Sequence, residues 1–262
     1  MTKIRLVYLA SFLILSASFG FKAIQSFNSA PAPHHAQSSP TDSLRANVAE
    51  WQVLYDSLDL ADKGLSPTAF AYAWYGFQKM KFTSPIMAIA DFSQSSTRKR
   101  LYIVDMNEKK LLVNTFVAHG RNSGNEYARK FSNANESYQS SLGFYRTLGT
   151  YQGKHGLSLR LEGLEKGIND KAFERAIVMH GANYVSESFI KNTGRLGRSL
   201  GCPAISLKDH KKVIKLLYNG AGLFIYSKDK AYLNGSKLLA TIQSQLSNDQ
   251  PSESSLRYTS SI

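Results

Sequence analysis

From Pro85 onward the chain breaks into short apolar runs separated by turn-forming residues, and this pattern constrains the fold more than any other feature. Ile86 to Ala90, Leu101 to Asp105 and Leu111 to Val117 are each too short for a helix and have strand composition. Asn107-Glu108-Lys109 reads as the turn that joins the last two into a hairpin. Leu157 to Glu162 alternates with period two, so one face is buried and the other meets water. Ala176 to Met179 is apolar throughout, as in a strand covered on both faces, and it delivers His180 at its end. Gly222 to Tyr226 is a final strand. The expected fold class is mainly β with a few helices.

Helical signals lie on either side of this region. Leu44, Val48, Trp51, Leu54, Tyr55 and Leu58 recur at helical spacing, and Gly64 breaks the stripe. Ser66-Pro67 is a helix start, an N-cap hydroxyl followed by proline in the first turn, with Phe70, Trp74 and Phe77 on one face. Ser206 to Tyr218 opens with a Ser-x-x-Asp box formed by Ser206 and Asp209 and carries an apolar stripe of Val213, Ile214, Leu216 and Leu217. Beyond roughly Ser244 the Ser, Asn and Gln content predicts a disordered tail.

The amino terminus reads as an export signal. Lys3 and Arg5 precede an almost wholly apolar run from Leu6 to Phe19, and Ser16-Ala17-Ser18 supplies small residues for cleavage. The run is short against the ~20 residues a membrane span needs, so a cleaved signal is expected, with an uncleaved anchor as the alternative. Ser26 to Pro40 is rich in Pro and Ser and has linker composition; His34 and His35 within it lack a further ligand at metal-site spacing.

The formal net charge is +13. Such a charge suits anionic partners, but Lys and Arg are scattered without a long basic run, and export argues against nucleic acid. Attraction to an anionic cell envelope is the simpler account. Cys202 is the single cysteine, so it has no internal disulfide partner in a compartment where disulfides would form. Buried free cysteines usually serve as small hydrophobes. Reactivity has to be argued from the surroundings, which here are Arg198-Ser199-Leu200-Gly201-Cys202-Pro203, 22 positions after His180.

A cysteine attacks a carbonyl as thiolate and needs a base or cation beside it. His180 is the candidate base and Cys202 the candidate nucleophile. Gly201 lets the backbone bend close to substrate, and the amides of Gly201 and Cys202 are candidate oxyanion donors. Ser199 either supports the imidazole or substrate or hydrogen-bonds its own turn. Arg198 is placed to pair with a substrate carboxylate, and Arg195 reads as a surface charge. His119, in Val117-Ala118-His119-Gly120, ends a strand before a polar loop and is a candidate substrate contact. His155 and His210 receive no role. A zinc site built from His119, His180 and Cys202 matches no short metal motif, and no metal or other cofactor is expected.

His180-Gly181 followed by Ser199-Leu200-Gly201-Cys202 resembles the L,D-transpeptidase catalytic domain family of the YkuD type, in which histidine-glycine precedes a Ser/Thr-x-Gly-Cys nucleophile motif. Gly201-Cys202-Pro203-Ala204 is similar to its murein L,D-transpeptidase catalytic domain branch, and Ser141-Leu142-Gly143-Phe144 resembles the strand that precedes the site. Leu200 replaces a frequent histidine, and Pro203-Ala204 replaces the polar or arginine-led sequence common after the nucleophile.

The resemblance implies a YkuD-like β-sandwich catalytic domain at 84–230, preceded by a signal or anchor at 1–25, a flexible linker at 26–41 and a helical region at 42–83, and followed by a C-terminal helix and tail at 231–262. It implies Cys202, His180, Ser199 and Gly201 as catalytic positions, with Arg198, His119 and Gly181 toward substrate. The reaction implied is attack on the L-centre to D-centre bond of a peptidoglycan tetrapeptide stem, loss of D-alanine, and a thioester resolved by an amine. Water as acceptor would give an L,D-carboxypeptidase; an inert cysteine would leave a cell-wall binding module. The expected setting is the periplasm or cell envelope.

Overall fold

The computed structural model describes residues 48–248, so the segments expected to be a signal and a linker lie outside the described residues. Nine strands make one continuous mixed sheet: β1 Ile86–Asp91, β2 Leu101–Asp105, β3 Lys110–Thr115, β4 Val117–Ala118, β5 Gly143–Gly153, β6 Gly156–Gly163, β7 Val178–Ala182, β8 Ala204–Ser206 and β9 Gly222–Tyr226. Their order is β3-β2-β1-β9-β5-β6-β7-β8-β4. The pairs β1–β9 and β7–β8 are parallel and the others antiparallel. The mainly β class with a few helices is what the sequence predicts.

The two edge strands of this sheet are neighbours in sequence. Only Phe116 separates the end of β3 from the start of β4, so the sheet must curl until its edges meet. The segment Leu111 to Val117 is therefore two strands at opposite edges instead of one. Two contacts hold the closure. Arg100 donates from Nε and Nη2 to the Val117 carbonyl at 3.1 Å each, and Thr115 Oγ1 donates to Asp209 Oδ2 at 2.5 Å.

Helices pack against the sheet and share its core. Pro67–Met80 starts where expected: Ser66 Oγ accepts the Ala69 N–H at 3.4 Å and Pro67 occupies the first turn. Phe70 is fully buried, worth about 2–3 kcal/mol of transfer free energy. Gly76 is required by proximity, since a Cβ there would lie 2.2 Å from the Phe144 ring, which itself stacks on Phe224 at 4.1 Å between centroids. Leu54 and Tyr55 of the helix Glu50–Ser57 and Leu239 and Ile242 of the helix Lys237–Asn248 join the same buried cluster.

Two element boundaries differ from the sequence reading. Ser206 ends β8, and the helix runs only from His210 to Leu216. The Ser206–Asp209 reciprocity exists, Asp209 N–H donating to Ser206 Oγ at 3.1 Å and Ser206 Oγ to Asp209 Oδ2 at 2.8 Å, but it builds the turn before the helix. The last helix continues to Asn248, past Ser244, because Leu239 and Ile242 have a core to enter.

Candidate active site

Cys202 sits on a turn pinned from several sides. Gly201 adopts φ +126°, and a Cβ there would come within 2.9 Å of the Gln139 carbonyl, so this position admits glycine. Ser199 Oγ donates to the Cys202 carbonyl at 2.6 Å and accepts the Gly201 N–H at 3.1 Å. Ser140 Oγ donates to the Gly201 carbonyl at 3.1 Å and accepts the Gly120 N–H at 3.0 Å. Backbone bonds run from Ser199 N–H to the His119 carbonyl at 3.0 Å and from Arg121 N–H to the Ser199 carbonyl at 2.8 Å. Ser199 thus ties its own turn, its one O–H donated to the Cys202 carbonyl, while it also lines the cavity beside Cys202.

The half-buried sulfur meets the backbone before β7. Sγ accepts the Val178 N–H at 3.5 Å and its S–H faces the Ala176 carbonyl at 3.8 Å. Burial pushes the Cys202 thiol up, offset by the Val178 N–H and by the charges of Arg175 and Lys154. At neutral pH it is a thiol.

His180 is the third residue of β7, inside the strand instead of at its end, because the strand extends through Gly181 and Ala182. Its register explains how distant positions meet: His180 lies beside Ala204 of parallel β8, two residues after Cys202. Nδ1 lies 3.0 Å from the Gly181 carbonyl, which can only accept, so Nδ1 carries the proton and Nε2 keeps its lone pair. Burial lowers the imidazole's pKa, and nearby His155, His210 and Lys154 lower it further. His180 and Cys202 line one cavity of about 410 Å³. Among the described residues, no hydrogen bond joins sulfur to ring.

The other sequence candidates divide. Arg198 lines the cavity, but its Nη1 is engaged by the carbonyls of Arg121 at 3.1 Å and Gly124 at 3.0 Å and by Asn125 Oδ1 at 2.9 Å. His119 does not line it. This residue is wholly buried, with Arg100 Nη2 donating to Nδ1 at 2.7 Å and Nε2 donating to the Gly124 carbonyl at 3.3 Å. Burial first, then the Arg100 charge, drive its pKa down to about 3, so it stays neutral as a prop for the 120–124 loop. Gly181 also faces away from the cavity: a Cβ there would meet His210 Cγ and Leu207 Cδ2 at 2.9 Å each. Its carbonyl, which orients His180, is its link to the site. The Gly201 N–H is committed to Ser199, and the Cys202 N–H bears on its own sulfur, where it helps to lower the thiol's pKa.

Among the lining residues that sequence reasoning did not assign to the site are Lys154, His155, Arg175 and Tyr184. Lys154 and His155 form the tip of the β5–β6 hairpin, between the paired Gly153 and Gly156. Gly-Lys-His-Gly between two extended runs was the available signal. Arg175 and Tyr184 flank β7 and carry no motif. Burial raises the Tyr184 hydroxyl to about 12, with Cys202 contributing. Lys154, Arg175 and Arg198 give the cavity three cations, and among the described residues no carboxylate lines it.

The sequence matches the family of L,D-transpeptidase catalytic domains over residues 61–226, beginning inside the helical region and ending with β9. Among curated proteins, none matches. Solved structures give slight likenesses. An L,D-transpeptidase from Mycobacterium smegmatis is 12% identical with TM-score 0.34, over 55% of this chain and 59% of that one. One from Stackebrandtia nassauensis is 16% identical with TM-score 0.33, over 62% and 67%. One from Mycobacterium tuberculosis is 13% identical with TM-score 0.32, over 55% and 58%. The chain thus spans about 59% of the length of the first of these structures. The family assignment rests on the sequence match.

Proposed function

The chain belongs to the L,D-transpeptidase catalytic domain family, and from that premise we propose that it is a cysteine L,D-transpeptidase of the cell envelope acting on peptidoglycan tetrapeptide stems. The observation that carries this reading is the pair itself: a lone thiol and an imidazole whose Nδ1 is fixed by Gly181, both walls of one cavity that holds three cations and, among the described residues, no acid.

Both partners rest neutral, since burial lowers the pKa of His180 and raises that of Cys202. The proton therefore moves as the bond forms: Nε2 takes it from S–H while sulfur attacks the carbonyl carbon. The oxyanion faces the Cys202 N–H. Collapse breaks the C–N bond, and the imidazolium returns the proton to the leaving D-alanine amine. An acceptor amine, deprotonated by His180, then attacks the thioester and releases the thiol. Carboxylates on the stem meet Lys154 and Arg198, and the +13 charge favours an anionic wall.

Intact-mass analysis with a defined tetrapeptide muropeptide tests this. A covalent adduct lacking the D-alanine mass is expected on the native protein and on no Cys202→Ala protein. An adduct on neither overturns the reading. Analysis of released products separates an amine acceptor from water.

A further inference from the structure

The guanidinium of Arg175 makes all its hydrogen bonds to a single segment. Nη1 donates to the Ser132 carbonyl at 2.8 Å and to Ser141 Oγ at 2.5 Å, while Nη2 donates to Ser137 Oγ at 3.1 Å and to the Gln139 carbonyl at 2.8 Å. The segment 132–141 is the one whose Ser140 hydroxyl grips the Gly201 carbonyl. Nη2 also lies against the nucleophile turn, 3.5 Å from where a Gly201 Cβ would stand. The backbone that follows Arg175 then passes the sulfur, with the Ala176 carbonyl and Val178 N–H as its two contacts.

We propose that Arg175 is a positioning residue for the nucleophile, clamping segment 132–141 under the Gly201–Cys202 turn and setting its positive charge against that turn. The assignment rests on Cys202 being the nucleophile. It differs in kind from the role of His180, which takes the proton, and from that of Arg198, whose Nη1 is tied to the 121–125 loop. The fork geometry explains arginine at this position: four acceptors at two nitrogens suit a planar guanidinium and exceed the three donors of an ammonium. Other charged or titratable groups facing the sulfur's cavity are Tyr151 from β5, Lys154 and His155 from the β5–β6 tip, His180 from β7, Tyr184 after it and Arg198 before the turn. Arg175 is the cation whose donors reach Gly201's neighbours, and its charge lowers the thiol's pKa against burial.

Because the chain has one cysteine, iodoacetamide alkylation followed by mass reports Cys202 alone. The rate is measured against pH for native protein, Arg175→Gln, Arg175→Lys and Ser141→Ala, with thermal melting recorded for each. Arg175→Gln is expected to move the midpoint to higher pH, with alkylation at pH 7 falling about fivefold, a part-exposed opposite charge acting below its buried limit. Arg175→Lys keeps the charge and stays within about twofold of native in that profile, while its tetrapeptide acylation drops more than about tenfold because the fork is lost. Ser141→Ala slows acylation without moving the profile. Should Arg175→Gln not fold, the Arg175→Lys and Ser141→Ala profiles decide alone. An Arg175→Gln profile coincident with native, or Arg175→Lys or Ser141→Ala profiles displaced toward higher pH, overturns the assignment. Native protein that alkylates but never forms a tetrapeptide adduct overturns the transpeptidase reading, and the alkylation comparison still decides Arg175.

Discussion

The imidazole of His155 lies flat on that of His180, with ring centroids 4.4 Å apart and 21° between the planes. A hairpin tip thus covers one face of the His180 ring. The cover acts on the base in two ways of one sign: it removes water from the ring, and when protonated it repels a second cation. Both lower the His180 pKa.

The first prediction concerns pH. The acid limb of acylation by native protein falls below the ordinary histidine value of 6.5, because neutral His180 is the working form and its pKa is lowered. His155→Ala moves that limb upward, toward 6.5, with modest change on the plateau. Single-turnover acylation from pH 4.5 to 8 reads both. A limb that stays in place in the variant would mean that the stack has no bearing on the base.

Gly201→Ala is expected to destabilise the chain and impair acylation together. The φ of +126° is outside the comfort of a side chain, and the new Cβ would press on Gln139 and Ile177 at 2.9 and 3.1 Å. Strain of this kind costs about 1–3 kcal/mol. Chemical denaturation gives the loss, and stopped acylation assays should show more than about a tenfold fall, since the sulfur rides on that turn. A variant with native stability and native acylation would contradict the pinned-turn description.

Much of this site was legible in the sequence, for a local reason. Turn chemistry around Cys202 is written in adjacent residues, so Ser199, Gly201 and Cys202 could be read together, and short apolar runs between turn residues gave most strands. What sequence could not show is what the parallel β7–β8 pairing brings together. His119 looked equivalent to His180, each ending an apolar run before glycine, yet one faces the cavity and the other is sealed against Arg100. Arg175 had no motif because its partners lie 34 to 43 positions upstream. The split at Phe116 was invisible because both strands are apolar and only closure of the sheet separates them.

His119 carries a prediction of its own. Its folded pKa is about 3 against 6.5 in the unfolded chain, so between those values the unfolded state binds a proton that the folded state refuses. Its contribution to stability is therefore complete above about pH 6.5 and declines as pH falls toward 3, with a slope of at most about 1.4 kcal/mol per pH unit. His119→Asn keeps an acceptor for Arg100 and removes the titration. Its urea midpoint is expected to be lower than native at pH 7 and to fall less steeply on acidification to pH 4. Parallel curves would exclude His119 as a source of acid sensitivity.

Glu165 predicts the opposite dependence, at the joint between the sheet and the C-terminal helices. Its buried carboxylate accepts the Phe144 N–H at 2.9 Å and the Tyr232 hydroxyl at 3.0 Å on Oε1, and the Ser236 hydroxyl on Oε2. Burial raises its pKa more than these donors lower it. Above 4.5 the folded state therefore holds a proton that the unfolded state releases, and stability from this group is fully present below 4.5 and lost as pH rises through the elevated value. Glu165→Gln retains an oxygen for Phe144 and Tyr232 and offers an amide to Ser236, whose hydroxyl accepts as well as donates. It is expected to match native near pH 5 and to exceed it at pH 8 in urea midpoint. Glu165→Ala strands all three partners and should lose about 3 kcal/mol or more at either pH. If native outlasts the glutamine variant by more at pH 8 than at pH 5, the carboxylate is held charged, and the donors rather than burial govern this joint.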